Sequence, residues 1–195
     1  MQRNQFLKLQ KKHGHCSSWA IWDTDNEADP AIIQSHIKDL SAKYIFVAYN
    51  ASGTDVLVGP WANFRGGKHD RKLKYACNHT ELRGSYLTDL FKDIKEAKAK
   101  NVKPHLTDRV IQKNVTYFLS EVSDLGATQE TIFVILGAAA GHHFRKHFLE
   151  HLGAVKVIYA THYSYYGWTD KKWVQHLWKK LGIKANYEAI QKNYQ

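Results

Sequence analysis

The stretch Lys156-Val-Ile-Tyr-Ala-Thr-His-Tyr-Ser-Tyr-Tyr-Gly167 decides the fold class. It begins as an apolar, β-branched run, which is typical of a buried strand, and it ends in a polar, aromatic turn. An amphipathic helical pattern follows, with an apolar stripe that includes Trp173, Leu177 and Trp178. In open α/β sheets, ligands bind just beyond the carboxyl ends of the strands. A strand that ends in His, Ser and three Tyr residues therefore predicts the edge of a site.

Other apolar runs end in a similar way. Residues 44–49 and 131–136 read as buried strands that end at Asn50 and Gly137, and residues 84–90 read as a weaker strand. Helical patterns separate these runs. The sequence therefore predicts an α/β fold, with a central, mainly parallel four-stranded sheet that is flanked by helices on both faces.

One domain is expected over residues 29–195, because residues 1–28 have no clear period and are interpreted as an N-terminal extension. Residues 1–12 are polar and lysine-rich without an apolar core, so no secretory signal is expected, and no run has the length of a membrane span. Cys16 and Cys77 are too few for a disulfide framework and lack metal-ligand spacing. We expect reduced thiols in a cytoplasmic protein.

The charge balance favours a polyanionic partner. The formal net charge is +10, with 28 Lys plus Arg residues, and aromatic residues make up 13 % of the chain. Basic residues interleaved with aromatic rings are typical of single-stranded or flipped-base recognition, although a solvated basic surface has the same composition. A long loop, Gly59 to Asn78, sets Trp61 and Phe64 among five basic residues. These are Arg65, Lys68, Arg71, Lys72 and Lys74.

Several known site types are absent from the sequence. Gly137-Ala-Ala-Ala-Gly141 lacks the Lys-Ser/Thr of a P-loop and the glycine spacing of a dinucleotide fingerprint, and no Gly-x-Ser-x-Gly elbow occurs. His143, His147 and His151 fall on one helix face with metal-ligand spacing, but no carboxylate lies at metalloprotease spacing. A basic surface is the favoured interpretation, so neither a metal nor another cofactor is expected.

Polar residues at the carboxyl ends of the strands form the candidate constellation. Asn50, Asp89, Gly137 and His162 follow or end different strands, and such groups converge on one pocket when the strands share a sheet. An amide, a carboxylate and an imidazole suit either hydrolytic chemistry or base recognition.

The order of these motifs resembles the uracil-DNA glycosylase superfamily over roughly residues 30–182. The motifs that carry the resemblance are Tyr49-Asn50-Ala51-Ser52-Gly53, Gly84 to Asp89, Phe133 to Gly137, and Thr161-His162-Tyr163-Ser164. The resemblance implies base excision in DNA repair, with base flipping and hydrolysis of the N-glycosidic bond without a metal.

The resemblance also implies roles for individual residues. Asn50 would position the attacking water, and His162 would stabilise the negative charge on the departing base. Substrate contacts would come from Ser52, Phe64, Thr88, Asp89 and Ser164. DNA contacts would come from Arg65, Lys68, Arg71, Lys72, Tyr165 and Tyr166.

Two alternatives remain open. Ala51 and Tyr163 stand where the family has proline, and Asp89 would accept hydrogen bonds from an amino group rather than read uracil. These departures fit a catalytically silent member that binds nucleic acid or a nucleotide. An enzyme acting on a free nucleotide or nucleoside is the other alternative. The base recognised, the strand preference and the oligomeric state are not predicted.

Overall fold

A mixed sheet lies at the centre of the protein, and the computed structural model describes residues 1–51 and 59–194. Its strands are β1 (Ser18–Trp19), β2 (Ser41–Asn50), β3 (Ser85–Phe91), β4 (Ile132–Leu136) and β5 (Lys156–Ala160). They lie in the order β1-β3-β2-β4-β5. Strands β2 to β5 pair in parallel, whereas β1 is antiparallel to β3.

Helices cover both faces of this sheet. The α-helices are α1 (Arg3–His13), α2 (Ala31–Ser35), α3 (Arg71–Cys77), α4 (Ala99–Val102), α5 (Asp108–Asp124), α6 (Ala138–His143), α7 (Asp170–Leu181) and α8 (Tyr187–Lys192). Side chains of α3, α7 and α8 bury one face of the sheet, here called the α7 face. Side chains of α1, α5 and α6 bury the other, the α5 face. Among the described helices, none is long and apolar enough to span a bilayer.

The predicted α/β sheet flanked by helices is confirmed, but the predicted number of four strands is one too few. The fifth strand, Ser18–Trp19, pairs with Leu87 and Tyr86 at the edge of the sheet. Two residues carry no periodicity, so the strand exists through its tertiary hydrogen bonds rather than through a local pattern.

Residues 1–28, which the sequence analysis interpreted as an extension, pack against the sheet. Phe6, Leu9 and Trp19 are almost fully buried in the core of the α5 face. The Tyr86 hydroxyl of β3 lies 2.7 Å from Ser17 Oγ, and this buried polar contact connects the same segment to the sheet.

The strand order defines where a ligand is expected. The chain leaves β2 towards β3 on one side, and then crosses back so that β4 pairs with β2 on the other side. The change of direction makes the β2/β4 boundary a topological switch point. Ligands of doubly wound sheets bind beyond the carboxyl ends of the strands at such a point. Here those ends are Asn50 and Leu136.

Gly84 lies where the start of β3 meets the start of β2, and the space around it leaves no room for a side chain. Its φ is +75°, and a Cβ there would lie 2.1 Å from the Asp39 carbonyl oxygen. We expect Gly84→Ala to lower the free energy of unfolding by about 2–3 kcal/mol, because strain in φ adds to the clash. Gly153→Ala is the matched control, since its φ is +67° but a Cβ would meet nothing within 4 Å. Urea unfolding of both variants checks the prediction, and equal losses would contradict it.

Candidate functional site

The two predicted catalytic residues lie at the same edge of the sheet. Asn50 is the last residue of β2 and pairs with Phe91 of β3. His162 follows Ala160, the last residue of β5, by two positions. Only β4 lies between these strands. Because neighbouring strands lie about 4.8 Å apart, the two strand ends are separated by roughly 10 Å.

His162 is held as a neutral hydrogen-bond donor. Its Nδ1 accepts the backbone N–H of Ser164 at 3.1 Å, and Ser164 Oγ lies 2.8 Å from the same nitrogen. A backbone N–H only donates, so Nδ1 is the acceptor and the proton of the neutral ring is on Nε2. Among the described residues, none hydrogen-bonds to Nε2. Burial, together with the smaller effect of the positive charges of His69 and Lys72, lowers the pKa of His162 to about 4.

The backbone around His162 is shaped to accept its ring. Gly137, directly after β4, has a φ of +97°, and a Cβ there would lie 3.2 Å from the Cβ of His162. Glycine therefore provides both the left-handed backbone and the close approach of the two chain segments. The small residue at position 137 therefore lets the His162 side chain lie against the carboxyl end of β4.

Tyr163 connects His162 with Phe64. Its ring stacks on the imidazole with centroids 4.4 Å apart, and it packs 6.4 Å from the rings of both Phe64 and Trp173. Phe64 has a φ of 62°, which is costly for a side chain of this size. Asn63 Oδ1 accepts the backbone N–H of Phe64 at 3.1 Å, so the loop maintains that strained conformation. Phe64 and Tyr163 form an aromatic wall on the α7 face.

Asp89 lies on the same face, within the sheet. Its Oδ2 accepts from Asn63 Nδ2 at 2.9 Å, and the same amide donates to the Cys16 carbonyl at 2.9 Å. Burial raises the pKa of Asp89 to about 6, although the Asn63 hydrogen bond and the charge of Lys92 oppose that rise. Sequence reasoning missed Asn63. Its location in the long loop from Gly59 to Asn78 was the available signal.

The side-chain amide of Asn50 uses its Nδ2 donor on carbonyl groups of the protein. Its Nδ2 donates to the carbonyls of Ala51, Ile94 and Glu96 at 3.1, 3.2 and 2.8 Å. A side-chain amide has two hydrogens, so these contacts occupy its donor capacity and orient the group. Among the residues that the structure describes, none donates to Oδ1, and an acceptor fixed in this way suits the orientation of a water molecule. Ser52, the next predicted contact, lies outside the described residues.

The side chain of Thr88 lies on the opposite face of the sheet from that of Asp89. Successive strand residues point to opposite faces, so Thr88 lies on the α5 face while Asp89 lies on the α7 face. Its hydroxyl is within 3.1 Å of both carboxylate oxygens of Glu121 and 2.5 Å from Lys92 Nζ. The sheet therefore separates Thr88 from His162 and Phe64.

Two of the four basic residues predicted to contact DNA have their cationic groups engaged inside the protein. Arg65 donates to the carbonyls of Trp19, Ile21 and Asp29, and burial lowers its pKa to about 10. Lys72, only 2 % exposed, donates to two carbonyls in the turn after β5.

The other predicted DNA contacts are at the surface. Lys68 and Arg71 are exposed, and Arg71 forms an ion pair with Asp170 at 2.5 Å. Tyr165 and Tyr166 are 45 % and 91 % exposed. Ser164 is also exposed, and its hydroxyl is used on His162. The predicted surface therefore consists of two cationic side chains and two rings beside the imidazole.

The histidines after β4 do not form a regular row. Helix α6 ends at His143, a π-helical turn covers Phe144–Phe148, and a 3-10 turn covers Leu149–His151. The rings of His143 and His147 stack with centroids 5.7 Å apart. Burial lowers the pKa of His143 to about 4. In the described part of the chain, no group of three His, Cys, Asp or Glu side chains is arranged to hold a metal ion.

The carboxyl group of Asp89 gives a pH-dependent test of the site. Its pKa is about 6 in the folded protein and near 3.8 in the unfolded chain, so the folded state binds its proton more tightly. Its contribution to the free energy of unfolding therefore falls as pH rises from about 4 to about 6. We expect Asp89→Asn to be roughly 2–3 kcal/mol more stable than the wild type at about pH 7, and equal to it near pH 4.

Urea unfolding across that pH range checks this expectation. Asp25→Asn, at an exposed carboxyl, is the matched control, and its stability curve should run parallel to that of the wild type. A difference between wild type and Asp89→Asn that does not change with pH would contradict the prediction. The asparagine retains an oxygen that accepts from Asn63, so the comparison isolates the charge.

One cavity of about 280 Å³ lies elsewhere, at the amino ends of the parallel strands. It is lined by Met1, Leu40, Lys43 and Glu130 among others, and it lies at the end of the sheet opposite to the one where ligands of doubly wound sheets bind. The polar residues at the carboxyl edge are therefore the candidate site. Comparisons of the chain with protein-family models, with curated proteins and with solved structures give no match.

Proposed function

We propose that the protein is a uracil-DNA glycosylase-like hydrolase that excises a deaminated or damaged base from DNA. The observation that carries the proposal is the state of His162. Its Nδ1 accepts the backbone N–H of Ser164, so the proton of the neutral imidazole is on Nε2, at the carboxyl edge of the sheet. Fixed donors of this kind stabilise negative charge as it develops on a leaving group.

The proposed reaction uses water as the nucleophile. Asn50 Oδ1 accepts a hydrogen bond from the water and orients its oxygen towards the anomeric carbon of the sugar. As the C–O bond forms, the N-glycosidic bond breaks and its electron pair moves to the base nitrogen. His162 Nε2–H donates a hydrogen bond to the departing base. The proton released by the water finally neutralises the base anion. Asn50 is a weak base, so its role is positioning.

Recognition of the base is assigned to the α7 face. The base must leave the DNA stack, at a cost of a few kcal/mol. Stacking on the wall formed by Phe64 and Tyr163 offsets part of that cost, on the order of 1–3 kcal/mol. Asp89, positioned by Asn63, is an acceptor suited to an exocyclic amino group.

Release of free base from oligonucleotides tests the proposal. Substrates carry uracil, hypoxanthine or an alkylated base, in single strands and in duplexes, and chromatography detects the product. We expect at least one lesion to yield free base and an abasic site without added metal. Absence of release from every substrate by the folded wild-type protein would exclude the hydrolase.

A catalytically silent nucleic-acid-binding protein of the same fold is the second candidate. It is favoured by one packing feature: Tyr163, 8 % exposed, lies flat against His162. The buried hydrogen bond from Asn63 also occupies the carboxylate of Asp89, which was predicted to read the base. This candidate predicts binding that weakens with salt, no base release, and retention of binding in His162→Ala.

A further inference from the structure

An aromatic series continues outward from His162, between β5 and α7. The ring centroids of Tyr166 and Tyr165 are 5.6 Å apart, and those of Tyr165 and Trp168 are 6.0 Å apart. The Trp168 ring then meets His176 of α7 at 4.8 Å. These four residues are called the aromatic series below.

The backbone beneath these rings is held in place. Lys72 Nζ donates to the carbonyls of Tyr165 and Trp168 at 3.2 and 3.0 Å, and the Tyr165 N–H donates to the His162 carbonyl at 3.0 Å. A Cβ on Gly167 would lie 2.8 Å from the Tyr165 ring, so this ring packs closely over the turn. The turn therefore presents its rings in a defined arrangement.

The rings are nevertheless turned to solvent. Tyr166 is 91 % exposed and Tyr165 is 45 % exposed, whereas most aromatic side chains of the described residues are buried or half-buried. Tyr166 contributes almost nothing to the core at that exposure. Exposed rings on a rigid turn are typical of a contact surface.

The surface around the series is cationic. Helix α7 carries four lysines and one aspartate; Asp170 is paired with Arg71 and Lys171 with Glu188, which leaves Lys172, Lys179 and Lys180 as the cations of this surface. Lys172 Nζ lies 5.1 Å from the centre of the Trp168 ring. Burial and the charges of Lys180 and Lys179 lower the pKa of His176. The cation over the indole ring suits a phosphate, and the exposed rings beside it suit the bases that stack next to that phosphate.

The spacing of the rings favours a single strand. Stacked bases in a DNA duplex rise by about 3.4 Å per step, and their faces are covered by neighbouring bases. The ring centroids are 5.6 and 6.0 Å apart and the ring planes are inclined by 40° and 79°, so their faces fit bases that have separated and no longer lie parallel. A duplex presents only its backbone and groove edges to such a surface.

We propose that the aromatic series binds single-stranded nucleic acid. Successive unstacked bases lie on Tyr166, Tyr165 and Trp168, and a phosphate lies beside Lys172. The inference deepens the proposed function and rests on it for one point, namely that the bound strand leads a base towards His162. Binding itself is independent of base release and is measured separately.

Fluorescence anisotropy with a labelled oligodeoxythymidylate of about 15 nucleotides tests the proposal, alone and annealed to its complement. We expect the single strand to bind at least about tenfold more tightly than the duplex. Tyr166→Ala should weaken single-strand binding about tenfold, the loss of stacking for one base, whereas Tyr166→Phe should retain it. Circular dichroism verifies that the variants are folded, which the exposure of Tyr166 favours.

A matched lysine pair tests the phosphate contact. Lys172 and Lys43 each lie 5.1 Å from the centre of an aromatic ring, but Lys43 is at the amino end of β2, beside Tyr44. Lys172→Gln should weaken single-strand binding and reduce the salt slope by about 0.7, whereas Lys43→Gln should leave both unchanged. Equal effects of the two substitutions would argue against the surface.

The outcomes separate this proposal from the hydrolase. Selective single-strand binding that is lost in Tyr166→Ala supports the surface even when no lesion yields free base. The proposed surface is wrong if the protein binds duplex as tightly as single strand, or if the Tyr166→Ala variant binds single strand as tightly as the wild type. Base release in either case would still support the hydrolase.

Discussion

Replacing His162 by alanine should slow base release by about 100- to 1,000-fold, with little change in the affinity for undamaged DNA. The Nε2–H donor acts on charge that develops only as the N-glycosidic bond breaks, and removal of one such donor typically costs about 2.7–4 kcal/mol. The measurement is the single-turnover rate of base release, because product release does not limit it.

A second histidine provides the control for this prediction. His36 also has a serine hydroxyl, that of Ser35, near its Nδ1, at 3.1 Å, but it precedes β2 at the opposite end of the sheet. His36→Ala should therefore release base at the wild-type rate. An unchanged rate in His162→Ala would remove the imidazole from the mechanism, and with it the main support for the hydrolase.

Replacing Glu121 by alanine should lower the free energy of unfolding by about 3–5 kcal/mol, because it leaves a buried charge without its partner. Glu121 is fully buried on the α5 face, and its carboxylate lies 2.8 Å from Lys92 Nζ. It also accepts from the hydroxyls of Tyr86 and Thr88. Urea unfolding monitored by tryptophan fluorescence measures the loss.

An exposed ion pair is the matched comparison. Lys113 and Asp93 lie 2.6 Å apart, with side chains 68 % and 53 % exposed. Asp93→Ala should cost no more than about 1 kcal/mol, because solvent screens the pair. Replacement of both buried partners, as Glu121→Leu with Lys92→Met, should recover much of the stability, since no unpaired charge remains. A loss in Glu121→Ala no greater than in Asp93→Ala would contradict the assigned role.

The local signals in this chain correspond closely to its regular structure. Strand β2 covers Ser41–Asn50 where an apolar run was predicted at 44–49, and β4 covers Ile132–Leu136 where the run was 131–136. Parallel strands are buried on both faces, so their apolar runs are continuous and easy to recognise. The stripe at Trp173 and Leu177 likewise became the buried side of α7.

The N-terminal segment shows where local signals fail. Strand β1 has two residues, and Trp19 is buried through contacts with Trp61 and Tyr86, which are distant in sequence. Arg65 then completes the segment by donating to its carbonyls. No periodicity encodes such contacts, because each depends on chain segments that only the fold brings together.

The amino-acid sequence by itself determined the four parallel strands, the main helices, and the polar residues at the carboxyl ends of those strands. Only the tertiary structure decided how those residues are used. It paired Thr88 with the buried Glu121, engaged Arg65 and Lys72 with backbone carbonyls, and oriented His162 through Ser164. The physical reason is that hydrogen bonding and burial depend on partners from distant segments, whereas apolar periodicity is a property of each segment alone.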